Sequence, residues 1–221
     1  METSVWDLFQ RGGPVMWPIL LCSIAAVSIG IERLIALTRT DTEPGLLLTQ
    51  VSQTIENRQL ASAQRLCDQA GSPLARILKA GIRRYGRPRE EIREAMEEQG
   101  AREAAQLQRS VPMLGTIAHI APLLGLLGTV TGLVRCFQSI QEKASSIHPV
   151  NPGDLAGGIW EALLTTVFGL LVAIPAYALY NALVYKTNTL VHQWESTATE
   201  LADSLAVGAE TDFLPKVPDA V

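Results

Sequence analysis

Three stretches of this chain carry no Asp, Glu, Lys or Arg, and each is long enough to cross a bilayer. They run from Gly12 to Ile31, from Ser110 to Val134 and from Ala162 to Tyr185. A span needs roughly 20 apolar residues to cross a hydrocarbon core of ~30 Å. None of the three alternates in the manner of a strand, so all three read as helices. A helix also satisfies its own backbone groups in lipid. The expected fold is an all-α integral membrane protein with three long transmembrane helices. Mean hydropathy is +0.18 although 18% of residues are charged. That average divides into apolar spans and polar segments between them.

Charge placement orients the spans. Twelve of the 18 Lys and Arg residues lie between Arg39 and Arg109, together with ten acidic residues. The segment 141–154 has Lys143 alone. Positive residues favour the cytoplasmic side, and acidic residues contribute little to that rule. The expectation is a periplasmic N-terminus, a cytoplasmic 39–109 segment, a periplasmic 141–154 loop and a cytoplasmic C-terminal end. The first span lacks the basic lead and small-residue cleavage site of a signal peptide, so it reads as a retained helix. Cys22, Cys67 and Cys136 are isolated in sequence and imply neither a disulfide framework nor a metal site. A net charge of −4 supplies no basic field for nucleic acid.

Residues 1–13 read as a short interfacial lead with Trp6, Leu8 and Phe9, ended by Gly12-Gly13-Pro14. The first span covers 14–38. The cytoplasmic segment 39–109 reads as a helix from Pro44 to Ala70, a break at Gly71-Ser72-Pro73, a second helix holding Leu74 to Ile82, and a charge-laced helix from Arg89 to Arg109. There Glu98 and Arg102 are spaced for an i,i+4 pair. This last helix is expected to run into the second span, 110–140, with Pro112 absorbed as a kink. The third span covers 155–185, a cytoplasmic helical extension 186–208, and a disordered tail 209–221.

In the second span, Gly125, Gly128 and Gly132 recur every three or four residues. Gly128 and Gly132 form a G-x-x-x-G pair, which lets another helix backbone approach closely. Packing is one reading of this face. A polar path past Thr129, beside it, is the other. In the third span, Glu161 is an acid inside an apolar helix. Such groups are expensive and usually face a bundle interior or a water-filled cavity, although an interfacial or paired glutamate is the alternative. Thr165 lies four residues on and shares the face of Glu161. Thr166, Gly169, Ala173 and Ala176 make a second stripe of small residues. Either threonine hydroxyl could instead bond back to its own helix. Pro175 removes a backbone hydrogen bond and favours a kink. His119 reads as a packed residue.

No phosphate-binding glycine loop, metal-ligand spacing or nucleophile–base motif occurs, so neither an enzyme nor an ATP-driven pump is expected. Internal repeats of the secondary-transporter kind are also not visible. A membrane scaffold, whose glycine faces only hold a complex together, stays as the competing class.

Two long segments carry a family resemblance. Ala121-Pro-Leu-Leu-Gly-Leu-Leu-Gly-Thr-Val-Thr-Gly132 resembles the second-helix signature of the MotA/TolQ/ExbB proton-channel family. Gly157 to Asn181 resembles its third-helix signature, and Glu32-Arg33-Leu34 matches after the first span. Length and span number are more similar to the ExbB and TolQ branch than to MotA, with ExbB favoured. The resemblance implies a homopentameric ring in the bacterial inner membrane around a single-span partner like ExbD or TolR, with a protein like TonB or TolA beyond it. Protons are then the coupling ion, with no other cofactor. It also implies a role in energising outer-membrane import, or, in a TolQ-like branch, in maintaining the outer envelope. The family's channel threonines fall on Thr129 and Thr166 and its interior glutamate on Glu161. By alignment Thr166 is the second channel hydroxyl, and by the face it shares with Glu161 it is Thr165.

Overall fold

The structure is a computed structural model and describes residues 5–40, 44–144 and 152–213. All regular structure among these is helical, in eight helices: α1 Val5–Arg11, α2 Met16–Thr40, α3 Pro44–Glu56, α4 Leu60–Ala70, α5 Pro73–Ile82, α6 Arg89–Gln108, α7 Val111–Ala144 and α8 Pro152–Phe213. The expected all-α class with three long apolar helices is what forms. Apolar windows of spanning length lie in α2, in α7 and in the first half of α8.

Several boundaries differ from the sequence reading. Helix occupies 141–144 and 152–154, which were assigned to a loop, and α8 continues to Phe213, five residues into the assigned tail. The expectations for 1–4, for 41–43, for the middle of the loop at 145–151 and for the tail at 214–221 lie outside the described residues. The single helix expected over 44–70 is two. Arg58 takes a left-handed φ of 60° between them, and its N–H bonds to the Ile55 carbonyl at 2.8 Å. That conformation usually calls for glycine, so no breaker marks the site. The helix expected to run through Pro112 does run on, interrupted only by a turn at Arg109 and Ser110, where Arg109 keeps right-handed helical φ and ψ. Pro112 falls in the first turn of α7, where a missing N–H costs nothing.

The chain divides into two compact units. The first holds residues 1–34 and 110–183, the second 35–109 and 184–221. In the second unit, Leu47, Val51, Ile77, Leu78, Ile92 and Met96 are buried. The far part of α8 adds Leu190, Trp194, Leu201 and Leu205 at spacings of four and seven, the stripe expected of a helix packing along its length. Ser72 caps α5 by accepting a hydrogen bond from the Ala75 N–H at 3.2 Å. Among the described residues of this unit one carboxylate, Glu103, is buried. Arg76 donates to both oxygens of Glu103, at 2.7 and 2.6 Å, and Gln99 donates at 2.7 Å. Burial pushes the Glu103 carboxyl up, but the Arg76 and Gln99 hydrogen bonds outweigh it and hold the group below the usual carboxylate range.

In the first unit the polarity is inverted. Leu21, Ile24, Leu123, Leu126, Leu163 and Leu171 are exposed, while Ala118, Ala121, Ala162 and Ala173 are buried. Large apolar groups outside and small ones inside is the pattern of helices that pack in lipid, where close approach replaces the hydrophobic drive.

Candidate functional site: the seam between α7 and α8

The first unit is built on an antiparallel seam. Gly115 faces Tyr180, Gly125 faces Thr165, Thr166 and Gly169, and Gly132 faces Gly158 and Ala162. Rising residue numbers on α7 thus meet falling numbers on α8. The approach is close. A Cβ on Gly125 would lie 3.0 Å from the Thr165 carbonyl oxygen, one on Gly132 3.0 Å from that of Gly158, and one on Gly169 2.8 Å from that of Ala121. At Gly128 a Cβ would collide with the Thr165 side chain, 2.7 Å from its Cγ2. Gly125, Gly128, Gly132, Gly169 and Ala173 all lie in this buried seam. Pro175 does not. It is exposed, and its neighbour Ala176 takes the buried place, because one residue is about 100° of turn.

The same single step separates the two threonines. Thr165 is fully buried against Gly128; its hydroxyl donates to the carbonyl of Ala162 on its own helix at 2.8 Å and also lies 3.4 Å from the Gly125 carbonyl across the seam. Thr166 is half-buried, and its hydroxyl donates across the seam to the Gly125 carbonyl at 3.3 Å. Thr165, rather than Thr166, shares the buried stripe with Gly169, Ala173 and Ala176. Thr129 is half-buried at the edge of α7, and its hydroxyl donates to the Leu126 carbonyl at 2.6 Å.

Glu161 forms an ion pair with Arg135 of α7. Arg135 is a residue that sequence reasoning passed over, because it lies one position beyond the charge-free stretch. Five residues separate Glu161 from Thr166, about 140° around the helix, and six separate Thr129 from Arg135, about 120°. The seam therefore has two flanks. One holds the Arg135–Glu161 pair. The other holds Thr129 and Thr166, with the exposed side chains of Leu126 and Leu170 beside them. Three turns beyond Thr166 the threonine flank continues to Tyr177, whose ring meets His119 edge-on at 5.8 Å. His119 Nδ1 lies 2.6 Å from the Gly115 carbonyl; the residue is hydrogen-bonded but exposed rather than packed. At that same end Arg33 is buried and donates to the Ser110 hydroxyl at 2.9 Å and to Glu32 at 3.0 Å.

A threonine-edged, glycine-lined seam in an apolar three-span unit defines a class: helical membrane subunits that pack tightly and expose hydroxyls on one side. Comparison with known proteins narrows it. Residues 69–196 match the MotA/TolQ/ExbB proton channel family. Over 202 residues the chain is 34% identical to an ExbB-like biopolymer transport protein of Synechocystis sp., covering 88% of this chain and 76% of that protein. Over 180 residues it is 30% identical to the biopolymer transport protein exbB1 of Vibrio cholerae, covering 79% and 77%. Over 140 residues it is 29% identical to the Tol-Pal system protein TolQ of Pseudomonas aeruginosa, covering 58% and 59%. The chain belongs to the MotA/TolQ/ExbB proton channel family.

Proposed function

We propose that this chain is the channel subunit of a proton-driven motor in the bacterial inner membrane. Five copies form a ring around a single-span partner like ExbD or TolR, and the ring turns proton flow into movement of that partner. The observation that carries this reading is the threonine flank. Thr129 and Thr166 place two hydroxyls on one flank of the seam, beside exposed leucines, where they can order water or accept a transient hydrogen bond. Glu161 and Thr165 complete the polar groups expected of the path, but Thr165 is packed against Gly128 and Glu161 lies on the other flank. On this reading the group that loads and unloads protons is a carboxylate of the partner, as the family resemblance implies. One charge moved through 100 mV yields about 2.3 kcal/mol, enough to bias a small rotation or rocking step.

Within this class we favour an ExbB-like role, energising outer-membrane import through a protein like TonB, over a TolQ-like role acting on the outer envelope through one like TolA. The preference rests on the Gly12-Gly13-Pro14-Val-Met-Trp-Pro opening and on Glu32-Arg33-Leu34 closing the first span. The test is energy-dependent output in a strain carrying Thr166→Ala. Loss of output with the complex still assembled is expected. Full output with both Thr166→Ala and Thr129→Ala would refute the path and leave the seam as a scaffold.

A further inference from the structure

The Arg135–Glu161 pair has a third member. Between α1 and α2 the chain turns at Gly12, Gly13 and Pro14. Gly13 takes a left-handed φ of 72°, its carbonyl accepts from the Met16 N–H at 3.2 Å, and its α-carbon sits directly on the pair. A Cβ built there would overlap Glu161 Oε1, lie 2.8 Å from Glu161 Cδ and 3.2 Å from Arg135 Nη1. Glycine is thus required twice at one position, by conformation and by space. The Glu161 side chain keeps only 17% of its accessible surface, whereas Arg135 keeps 46%. The carboxylate is the enclosed member, held by the guanidinium from α7 and covered by the turn before α2.

We propose that Arg135 is the positioning residue for Glu161, and that the two act as a clasp fixing the Gly13 turn to the ends of α7 and α8. This goes beyond the proton-channel reading, on which it rests for its flux readout. Glu161 then serves through its pairing, on the flank opposite the channel hydroxyls. The physics gives the clasp a signature. In a membrane an unpaired charge is expensive, and stripping the partner from the enclosed Glu161 carboxylate costs more than removing both groups. A glutamate that carried protons by itself would behave in the opposite way. Its loss would be complete in any background, and the arginine would be dispensable.

The experiment uses the full-length chain, co-purified with its membrane partner and placed in nanodiscs and in proteoliposomes. Hydrogen exchange of the turn at 11–16 reads the clasp, and proton flux reads function. Four variants are compared: Arg135→Gln, Arg135→Lys, Glu161→Gln and the double Arg135→Gln/Glu161→Gln. Exchange at the turn is expected to rise by about tenfold in each single Gln variant, a local opening of the kind a lost partner produces. Arg135→Lys should restore protection, and the double variant should be better protected and more active than either single. Turn protection at the wild-type level in both single Gln variants would overturn the clasp. So would full flux in Arg135→Gln alongside equal loss in Glu161→Gln and the double. Thr166→Ala separates the two claims. It leaves the turn protected, so if its flux is normal the channel reading fails while the exchange result still decides the clasp.

Discussion

Thr165 and Thr166 differ by one position, and the difference decides what each can do. The Thr165 hydroxyl donates to Ala162 on its own helix at 2.8 Å and lies 3.4 Å from the Gly125 carbonyl across the seam, with the whole side chain packed on Gly128. Valine keeps that shape, and a hydroxyl bonded to its own helix contributes little. Thr165→Val should therefore hold proton flux within about twofold of wild type. Thr166→Ala removes a half-buried hydroxyl at the open flank, and a loss of at least about tenfold is expected if that group organises the path. Flux through both variants in one proteoliposome preparation checks the contrast. The sequence names both residues but cannot rank them, because spacing alone leaves the phase of α8 undetermined by one residue. Glu161 shows the same limit. Its rarity in an apolar helix is legible, but its partner is not, since Arg135 lies 26 residues away and the pairing depends on the antiparallel register.

Elements differ in how openly they announce themselves. The glycine face of α7 is readable because small residues at spacings of three and four have few other uses in a span. Gly128→Leu should cost about 2–3 kcal/mol by forcing the seam apart, seen as loss of the assembled complex on detergent gel filtration. The break between α3 and α4 is unreadable for the opposite reason, since Arg58 takes a conformation its residue type disfavours. In the second unit, the Glu103 carboxyl is held below the usual range by Arg76 and Gln99. Its contribution to stability is therefore fully present above the ordinary carboxylate value of about 4.3. It disappears as pH falls through the lower native value. Thermal melts of wild type and Glu103→Gln should accordingly differ at pH 7 and converge as the pH is lowered below 4.3. A difference that stays constant with pH would assign the effect to packing. Glu103→Gln is expected to cost about 1–2 kcal/mol at pH 7, no more, because Arg76 is exposed enough to regain water.

At the scale of the whole molecule, three spans and an asymmetric distribution of Lys and Arg define the proposed topology. The segment 39–109 is assigned to the cytoplasm by the positive-inside rule. Arg87→Cys, in an exposed turn and with Cys22, Cys67 and Cys136 replaced by alanine, is expected to react with a membrane-impermeant maleimide only after the inner membrane is opened. Labelling of intact spheroplasts would reverse the orientation. Class and span number were legible because lipid tolerates few solutions. The proposed ring, partner and motion are not legible in one chain, because they would depend on surfaces completed by other copies. The most direct measurement is proton flux in proteoliposomes containing the complex recovered from native membranes, with an imposed potential and a pH-sensitive dye inside. The account predicts flux from the wild-type complex and its near-abolition by Thr166→Ala with subunit content unchanged. Equal flux from both would contradict it.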